Sequence, residues 1–412
     1  MDGVEDVTQC GIPPDGNFIY IFQATPSGTH WYHSHSGEER TKGLFGALIV
    51  KERETILDFR NELQRREYDA NFKDMPDQHT LTFLDWQHKD TPDKMDTFSI
   101  DGAEVSPDKY WSGIINGKGR HEDVPYIETR LSIFTVSSDN TYRFRLIGAQ
   151  SIFAYRVSVD EHKLIVIATD GAFLEPMEVD YIIIHSGERY DFLLKTKTRS
   201  EIDNLNRENF MIRADTLEVE PHFAEAILHY DSSNVEPNST QYKSIKDSSI
   251  PVSSRCTNTS PCKVLNCPFK DYPSDSLTCI HIHNVELMFP DLISDNNLPD
   301  VQVGEDDKLF FNFGFEGPKD HANSMNARNM KLLPSCPFSL SVGSTEKSNK
   351  IRAKIQNATC KELKNPKTCD NNYSNNRKKC ICLHVRDTEK DHSIQMVLSL
   401  SLIHISEPTR PY

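Results

Sequence analysis

No stretch of this sequence approaches the roughly 20 consecutive apolar residues that a membrane-crossing helix needs, so there is no transmembrane helix to place. Mean hydropathy is −0.56, a polar average. Basic charge is also short: 46 Lys and Arg stand against 61 Asp and Glu, a formal net charge of −15. A body this acidic repels phosphate backbones, which argues against nucleic-acid binding. Phosphate-cradling glycine loops, G-x-S-x-G elbows and basic aromatic patches are missing as well. Met1-Asp2-Gly3-Val4 leads at once into turn-like and strand-like residues, with no secretory leader in front. Cysteine is absent between Cys10 and Cys256.

What is present is long enough for two or three domains, at 412 residues. Nine of the 10 cysteines crowd into residues 256–382: Cys256, Cys262, Cys267, Cys279, Cys336, Cys360, Cys369, Cys380 and Cys382. Their spacing lacks the paired C-x2-C repeats of zinc modules. An even count in polar loops points to disulfides formed in an oxidising compartment. N-x-S/T sequons at Asn238, Asn258, Asn357 and Asn372 lie in the same half and agree with a secreted glycoprotein.

Alternation of apolar and polar residues predicts strands over Asn17–Thr25, Leu131–Val136, Thr141–Ile147 and Ala154–Val159. The apolar run Lys163–Thr169 stops at Asp170-Gly171, a turn signal, and Tyr181–His185 and Tyr190–Lys195 flank Ser186-Gly187-Glu188-Arg189. Many short strands with turns between them predict an all-β sandwich or barrel. One helix is expected, over Glu52–Tyr68. Residues 232–276, rich in Ser, Asn, Pro and Cys, suggest a linker or a disulfide-stapled excursion, and residues 344–379 a long surface loop.

The densest group of metal-capable side chains is Gly28-Thr29-His30-Trp31-Tyr32-His33-Ser34-His35-Ser36-Gly37. On a strand, His33 and His35 share a face with Cα atoms about 6.5–7 Å apart. That spacing suits two imidazoles serving one metal or two neighbouring metals, and imidazole accepts Cu, Zn, Fe or Ni. A histidine pair of this spacing is more often structural, and His281-Ile282-His283, without a glycine and aromatic frame, is read that way. Glu188, Arg189 and Asp191 are read as residues that tie a turn together, and Asp170 as a turn residue. Asp85, Trp86 and His88 are candidates for a substrate or interdomain surface.

The frame around the first pair resembles the second copper motif of the multicopper oxidases, laccase-like and best matched to their invertebrate branch. Residues 28–37 followed by Gly43-Leu44-Phe45-Gly46-Ala47-Leu48-Ile49-Val50 carry it. So do Met1-Asp2-Gly3-Val4 with Val7-Thr8-Gln9-Cys10, residues 112–120 (SGIINGKGR), Tyr142–Ile147, Val166–Gly171 and Ser186–Leu193. Phe311-Asn312-Phe313 and Ser324-Met325-Asn326-Ala327-Arg328 are similar to the opening of a third domain, where the family often has Gly in place of Ala327. The resemblance covers most of residues 1–330. It implies consecutive cupredoxin-like (plastocyanin-like) Greek-key β-sandwich domains, the first and third incomplete. The first would end at residue 52, with a helical connection over 53–78, a middle domain over 79–231, the linker or excursion over 232–280 and part of a third domain over 281–399.

By the same resemblance, His33 and His35 each bind one copper of a coupled pair in a trinuclear cluster that reduces O2 to water. A separate mononuclear copper, held by Cys and His in the third domain, draws single electrons from phenols, aromatic amines or metal ions. The implied partners are therefore a small reducing molecule and O2. Only one of the family's four copper motifs is present, so the chain is expected to be a fragment, lacking the mononuclear site and inactive by itself. Met1 would be an internal methionine, and residues 400–412 resemble a translated sequencing adapter. Two rival readings fit parts of the sequence. Gly28, His33, His35, Glu39 and Gly46 approach the first motif of cupin barrels, with Gly28 one residue out of register and Glu39 as third ligand to Fe, Mn or Zn, but no second cupin motif follows. A non-catalytic extracellular cupredoxin-like binding protein that has abandoned copper is the other.

Overall fold

The computed structural model describes residues 11–35, 39–52, 55–87, 111–120, 130–151, 153–217, 223–231, 249–267 and 276–290, and the backbone of four later strands. The chain divides into two compact units, and the larger comprises Phe22–Asp90, Asp108–Asp295 and Pro411–Tyr412.

In the larger unit, β1 (Gly28–His33) and β2 (Phe45–Val50) form an antiparallel hairpin, with Gly28 opposite Val50 and His33 opposite Phe45. Helix α1 (Thr55–Arg65) follows, then β3 (Lys73–Asp74), the short α2 (Pro76–His79), β4 (Thr80–Gln87), β5 (Trp111–Ile115) and β6 (Lys118–Gly119). Beyond these come β7 (Ser132–Val136), β8 (Thr141–Gly148), β9 (Tyr155–Val159), β10 (Leu164–Thr169), β11 (Ala172–Val179), β12 (Tyr181–Ile184) and β13 (Arg189–Lys195). Helix α3 (Arg199–Leu205), β14 (Asn209–Thr216), β15 (Phe223–Tyr230), β16 (Cys262–Leu265) and β17 (Leu277–Ile280) complete the unit.

Two sheets build a sandwich. One runs in the order β11-β10-β13-β8-β4-β5-β6, with β3 also paired to β8; the other runs β17-β16-β12-β9-β14-β15-β7. Between them Phe144, Leu146, Val166 and Phe192 of the first sheet pack on Tyr155, Val157, Ile184, Ile212 and Leu228 of the second. Local chemistry agrees with this layout. Asn116 and Gly117 take positive φ (50° and 74°) at the β5–β6 turn, as a tight hairpin requires. Thr198 and Glu201 form a capping box that starts α3, and left-handed Asn206 ends it. Phe59 and Leu63 of α1 pack with Phe72, Ile167, Phe173 and Leu193 in a second core on the outer side of the first sheet.

The expected strands at 131–136, 141–147, 154–159, 163–169, 181–185 and 190–195 are present to within a residue or two at each end. Two expectations change. Residues 17–25 run without strand pairing among the described residues, and Ile19, Ile21 and Phe22 are 79%, 93% and 64% exposed. Alternation gives a segment two faces but supplies no neighbour to close its hydrogen bonds. The stretch read as a linker or excursion over 232–280 supplies β16 and β17 to the second sheet, both in parallel pairings. It is stapled by the disulfides Cys256–Cys262 and Cys267–Cys279. Its polar composition concealed strands of four residues each, too short to show a period.

The smaller unit contains a four-stranded sheet of β18 (Lys308–Gly314), β19 (Ser324–Met325), β20 (Arg328–Asn329) and β21 (Gln395–Leu400), in the order β20-β19-β18-β21. Residues 1–10, His88, the loop expected at 344–379, the remaining six cysteines and the tail past Leu400 lie outside the described residues.

Candidate metal centre

The histidine pair sits at the loop end of the β1–β2 hairpin, where His33 faces Phe45. Strand β1 ends at His33, but the Ser34 amide still donates to the Leu44 carbonyl (2.9 Å), which carries the chain on toward His35. The rings of His33 and His35 lie with centroids 5.8 Å apart and planes tilted by 32°. Trp31 stacks on the other side of His33 at 4.3 Å and meets Phe45 edge-on at 6.4 Å. Across the hairpin, the Tyr32 ring lies over Gly46, where a Cβ would come within 2.5 Å of the Tyr32 hydroxyl. His33 is half-buried and His35 exposed.

One imidazole is oriented by its own backbone. His33 Nδ1 lies 2.8 Å from the Ser34 carbonyl. A carbonyl can only accept, so Nδ1 carries the proton and Nε2 keeps its lone pair. This is the support usual for a metal-binding histidine, where a bond to one ring nitrogen fixes the other as donor. His30, in the same motif, is engaged on both sides: Nε2 donates to the Pro26 carbonyl (3.0 Å), and Arg189 Nη2 approaches Nδ1 at 3.5 Å. It is a framework residue. The chemistry of His33 and His35 fits a copper ion, which soft or borderline nitrogen donors favour.

The third cupin ligand is not assembled. Glu39 accepts a hydrogen bond from Ser34 Oγ and so closes the loop after the motif. Among the described residues, no group of three or more His, Cys, Asp and Glu side chains could hold a metal. His281 and His283 lie on a turn after β17 with near-parallel rings 5.3 Å apart.

A buried ionic clasp holds this hairpin on the sandwich. Arg143 and Arg145, two residues apart on β8, have side chains 0% and 1% exposed. Arg143 donates to Asp191 (Nε, 3.0 Å) and to Glu52 (2.7 Å), and also contacts Asp74 (3.3 Å). Arg145 donates to Asp74 (2.8 Å), to Asp191 (3.3 Å) and to Thr29 Oγ1 (2.7 Å). Thr29 Oγ1 in turn donates to Asp191 Oδ1 at 2.7 Å. Burial by itself would lower the Arg143 pKa, but Asp191, Glu52 and Asp74 together hold it above the ordinary arginine value. Two cations facing three carboxylates keep every charge paired, which buried ions require.

The turn Ser186–Asp191 serves two neighbours. Arg189 reaches β1 through the Thr29 carbonyl (3.1 Å) and pairs with Asp170 (2.9 Å). Glu188 accepts from Asn266 Nδ2 (2.8 Å) and from the His185 amide (2.8 Å), which holds the disulfide-stapled segment. Gly28 (φ 122°) and Gly171 (φ 91°) face each other so closely that a Cβ on Gly28 would stand 2.6 Å from the Gly171 Cα. Asp85, buried, accepts from the amides of Ser151 (2.9 Å) and Phe153 (3.2 Å) and so shapes a loop that also receives Arg40 through Ser151 Oγ (2.8 Å).

Comparison with known proteins matches residues 1–55 to one multicopper oxidase family model and residues 77–233 to another. The chain belongs to the multicopper oxidase family. Among similar proteins, a laccase of Trametes maxima is 32% identical over 256 residues, covering 60% of this chain and 44% of that one. The L-ascorbate oxidase of Brassica rapa subsp. pekinensis is 32% identical over 216 residues, 47% of this chain and 35% of that one. The chain thus spans less than half the length of these relatives. The crystal structure of laccase from Botrytis aclada superposes with a TM-score of 0.55 at 24% identity, over 83% of this chain and 53% of that one. Fet3p, a multicopper oxidase that functions in iron import, gives 0.54 at 20%, over 85% and 55%. At those identities the likeness establishes the fold: this multicopper oxidase is built of cupredoxin-like sandwiches, as the sequence motifs implied.

Proposed function

We propose that the protein is a laccase-like oxidoreductase that couples one-electron oxidation of phenolic or diphenol-type substrates to the four-electron reduction of O2 to water, with His33 and His35 as ligands in a trinuclear copper cluster. The single observation that carries the site assignment is the adjacency of the two rings at 5.8 Å, with the Nδ1 proton of His33 already committed to Ser34. The family membership and the laccase and ascorbate oxidase relatives support the reaction class. When bound, copper supplies the one-electron redox steps that let four electrons reach O2 together.

This chain's own residues orient and shield. Ser34 fixes which nitrogen of His33 is the donor, Trp31 covers one face of its ring, and the clasp of Thr29, Asp191 and Arg145 anchors the strand on which His33 sits. The two disulfides support secretion, since such bonds persist in oxidising compartments.

The test removes one imidazole at a time. In the protein with its complete donor set, His33→Ala and His35→Ala should abolish phenol-dependent O2 uptake and cluster copper, while Glu39→Ala keeps both. Loss of metal from Glu39→Ala as well as from both histidine variants would transfer the site to a cupin-type chemistry. The 412-residue chain by itself should show neither blue absorbance nor O2-dependent phenol oxidation after copper reconstitution. Stoichiometric copper with turnover in that chain would overturn the expectation.

A further inference from the structure

The disulfide-stapled segment presents a modification site on a built platform. Cys256 and Cys262 are joined, and between them Thr257 and Ser260 exchange both backbone hydrogen bonds, each 3.1 Å. Asn258 and Thr259 form the tip of the resulting turn, and residues 257–261 are all exposed. Asn258-Thr259-Ser260 is an N-x-S/T sequon, the acceptor pattern for N-linked glycan in secreted chains.

The ends of this turn are fixed to one buried carboxylate. Arg255 donates to Asp180 Oδ1 (2.9 Å) and to the His162 carbonyl (2.9 Å), and the Lys263 amide donates to Asp180 Oδ2 (2.9 Å). With both ends held on the sandwich, the exposed excursion over residues 257–261 has only solvent at its tip. A bulky, hydrophilic group there displaces no core contact, which is the condition for a surface glycan. The disulfide adds an independent pointer, because the bond and the glycan are made in the same oxidising compartment.

We infer that Asn258 carries an N-linked glycan, attached through its side-chain amide, on a turn whose shape is set by the Cys256–Cys262 bond. The site extends the secretion reading above, and its test does not depend on that reading because the route is supplied. The full 412-residue chain is expressed behind a cleavable secretion leader in a eukaryotic host, and protein from the medium and from the secretory pathway is analysed alike. Deglycosylation by PNGase F in 18O-water followed by peptide mapping should convert Asn258 to 18O-labelled Asp in a peptide still cross-linked between Cys256 and Cys262. Ser260→Ala should remove the label, because the sequon loses its hydroxyl. It should leave the melting temperature unchanged, since Ser260 gives the turn only backbone hydrogen bonds. Recovery of that peptide solely with unmodified Asn258 overturns the inference, as does glycan confined to Asn238, Asn357 or Asn372.

Discussion

His162 shows how much a single buried side chain can set the acid limit of this protein. Its Nδ1 donates to the Asp160 carbonyl (2.7 Å) and its Nε2 accepts from the Tyr230 hydroxyl (2.7 Å), which itself accepts from the Lys197 amide (2.8 Å). Burial disfavours the imidazolium and pushes the pKa down to about 3. The unfolded chain takes up a proton near pH 6.5 that the folded chain refuses until near pH 3. Stability is therefore fully present above pH 6.5 and falls below it, by at most about 1.4 kcal/mol per pH unit from this one group. Urea unfolding of His162→Gln between pH 4 and 7 should give a shallower loss than wild type. An unchanged slope would place the acid sensitivity elsewhere.

The clasp is also a matter of particular residues. Asp191→Ala leaves Arg143 and Arg145 facing a depleted set of carboxylates, and removing one partner of a buried ion pair costs about 3–5 kcal/mol. Chemical denaturation should show that loss, whereas Asp170→Ala, with Asp170 half exposed, should cost under about 1 kcal/mol.

At the scale of elements, the hairpin β1–β2 depends on the sandwich for its place. Thr29 links it to Asp191 and Arg145 by two bonds of 2.7 Å, and Gly28 abuts Gly171. Thr29→Val keeps the β-branched shape but leaves Asp191 and Arg145 each short of a partner, a cost of about 1–3 kcal/mol. Amide exchange should then rise across residues 28–33 and 45–50 while β9, β12 and β14 stay protected. Uniform acceleration over the whole unit would mean that the hairpin does not open separately. Arginines at positions 143 and 145, alternating inside the otherwise apolar Tyr142–Ile147, were the legible sign of such a cluster. Two like charges on one buried face of a strand demand carboxylates opposite. Which carboxylates answer was not legible, because Glu52, Asp74 and Asp191 come from three separate segments.

Across the larger unit, the two disulfides staple the polar segment that adds β16 and β17 to the second sheet. Cys267–Cys279 closes a loop with a sequence separation of 12, and loops near that length contribute about 3 kcal/mol on chain-entropy arguments. Reduction should lower the thermal midpoint and release β16 and β17 first, read as proteolytic cleavage within residues 262–280. An unchanged midpoint in reductant would show that Asp180, Asn266 and Glu188 hold the segment without the covalent bonds.

The sequence by itself determined the all-β class, the positions of most strands in the sandwich and the histidine pair, because those rest on local periodicity, turn residues and a short contiguous motif. It also pointed to the family through runs of residues that lie close together in the chain. Only the tertiary structure decided that residues 17–25 pair with no described strand, that the cysteine-rich stretch completes a sheet, and that β1 is pinned by Arg145, Arg189 and Asp191. The last two outcomes depend on groups between 78 and 162 residues apart meeting at hydrogen-bond distance, and no pattern within one segment specifies its distant partner.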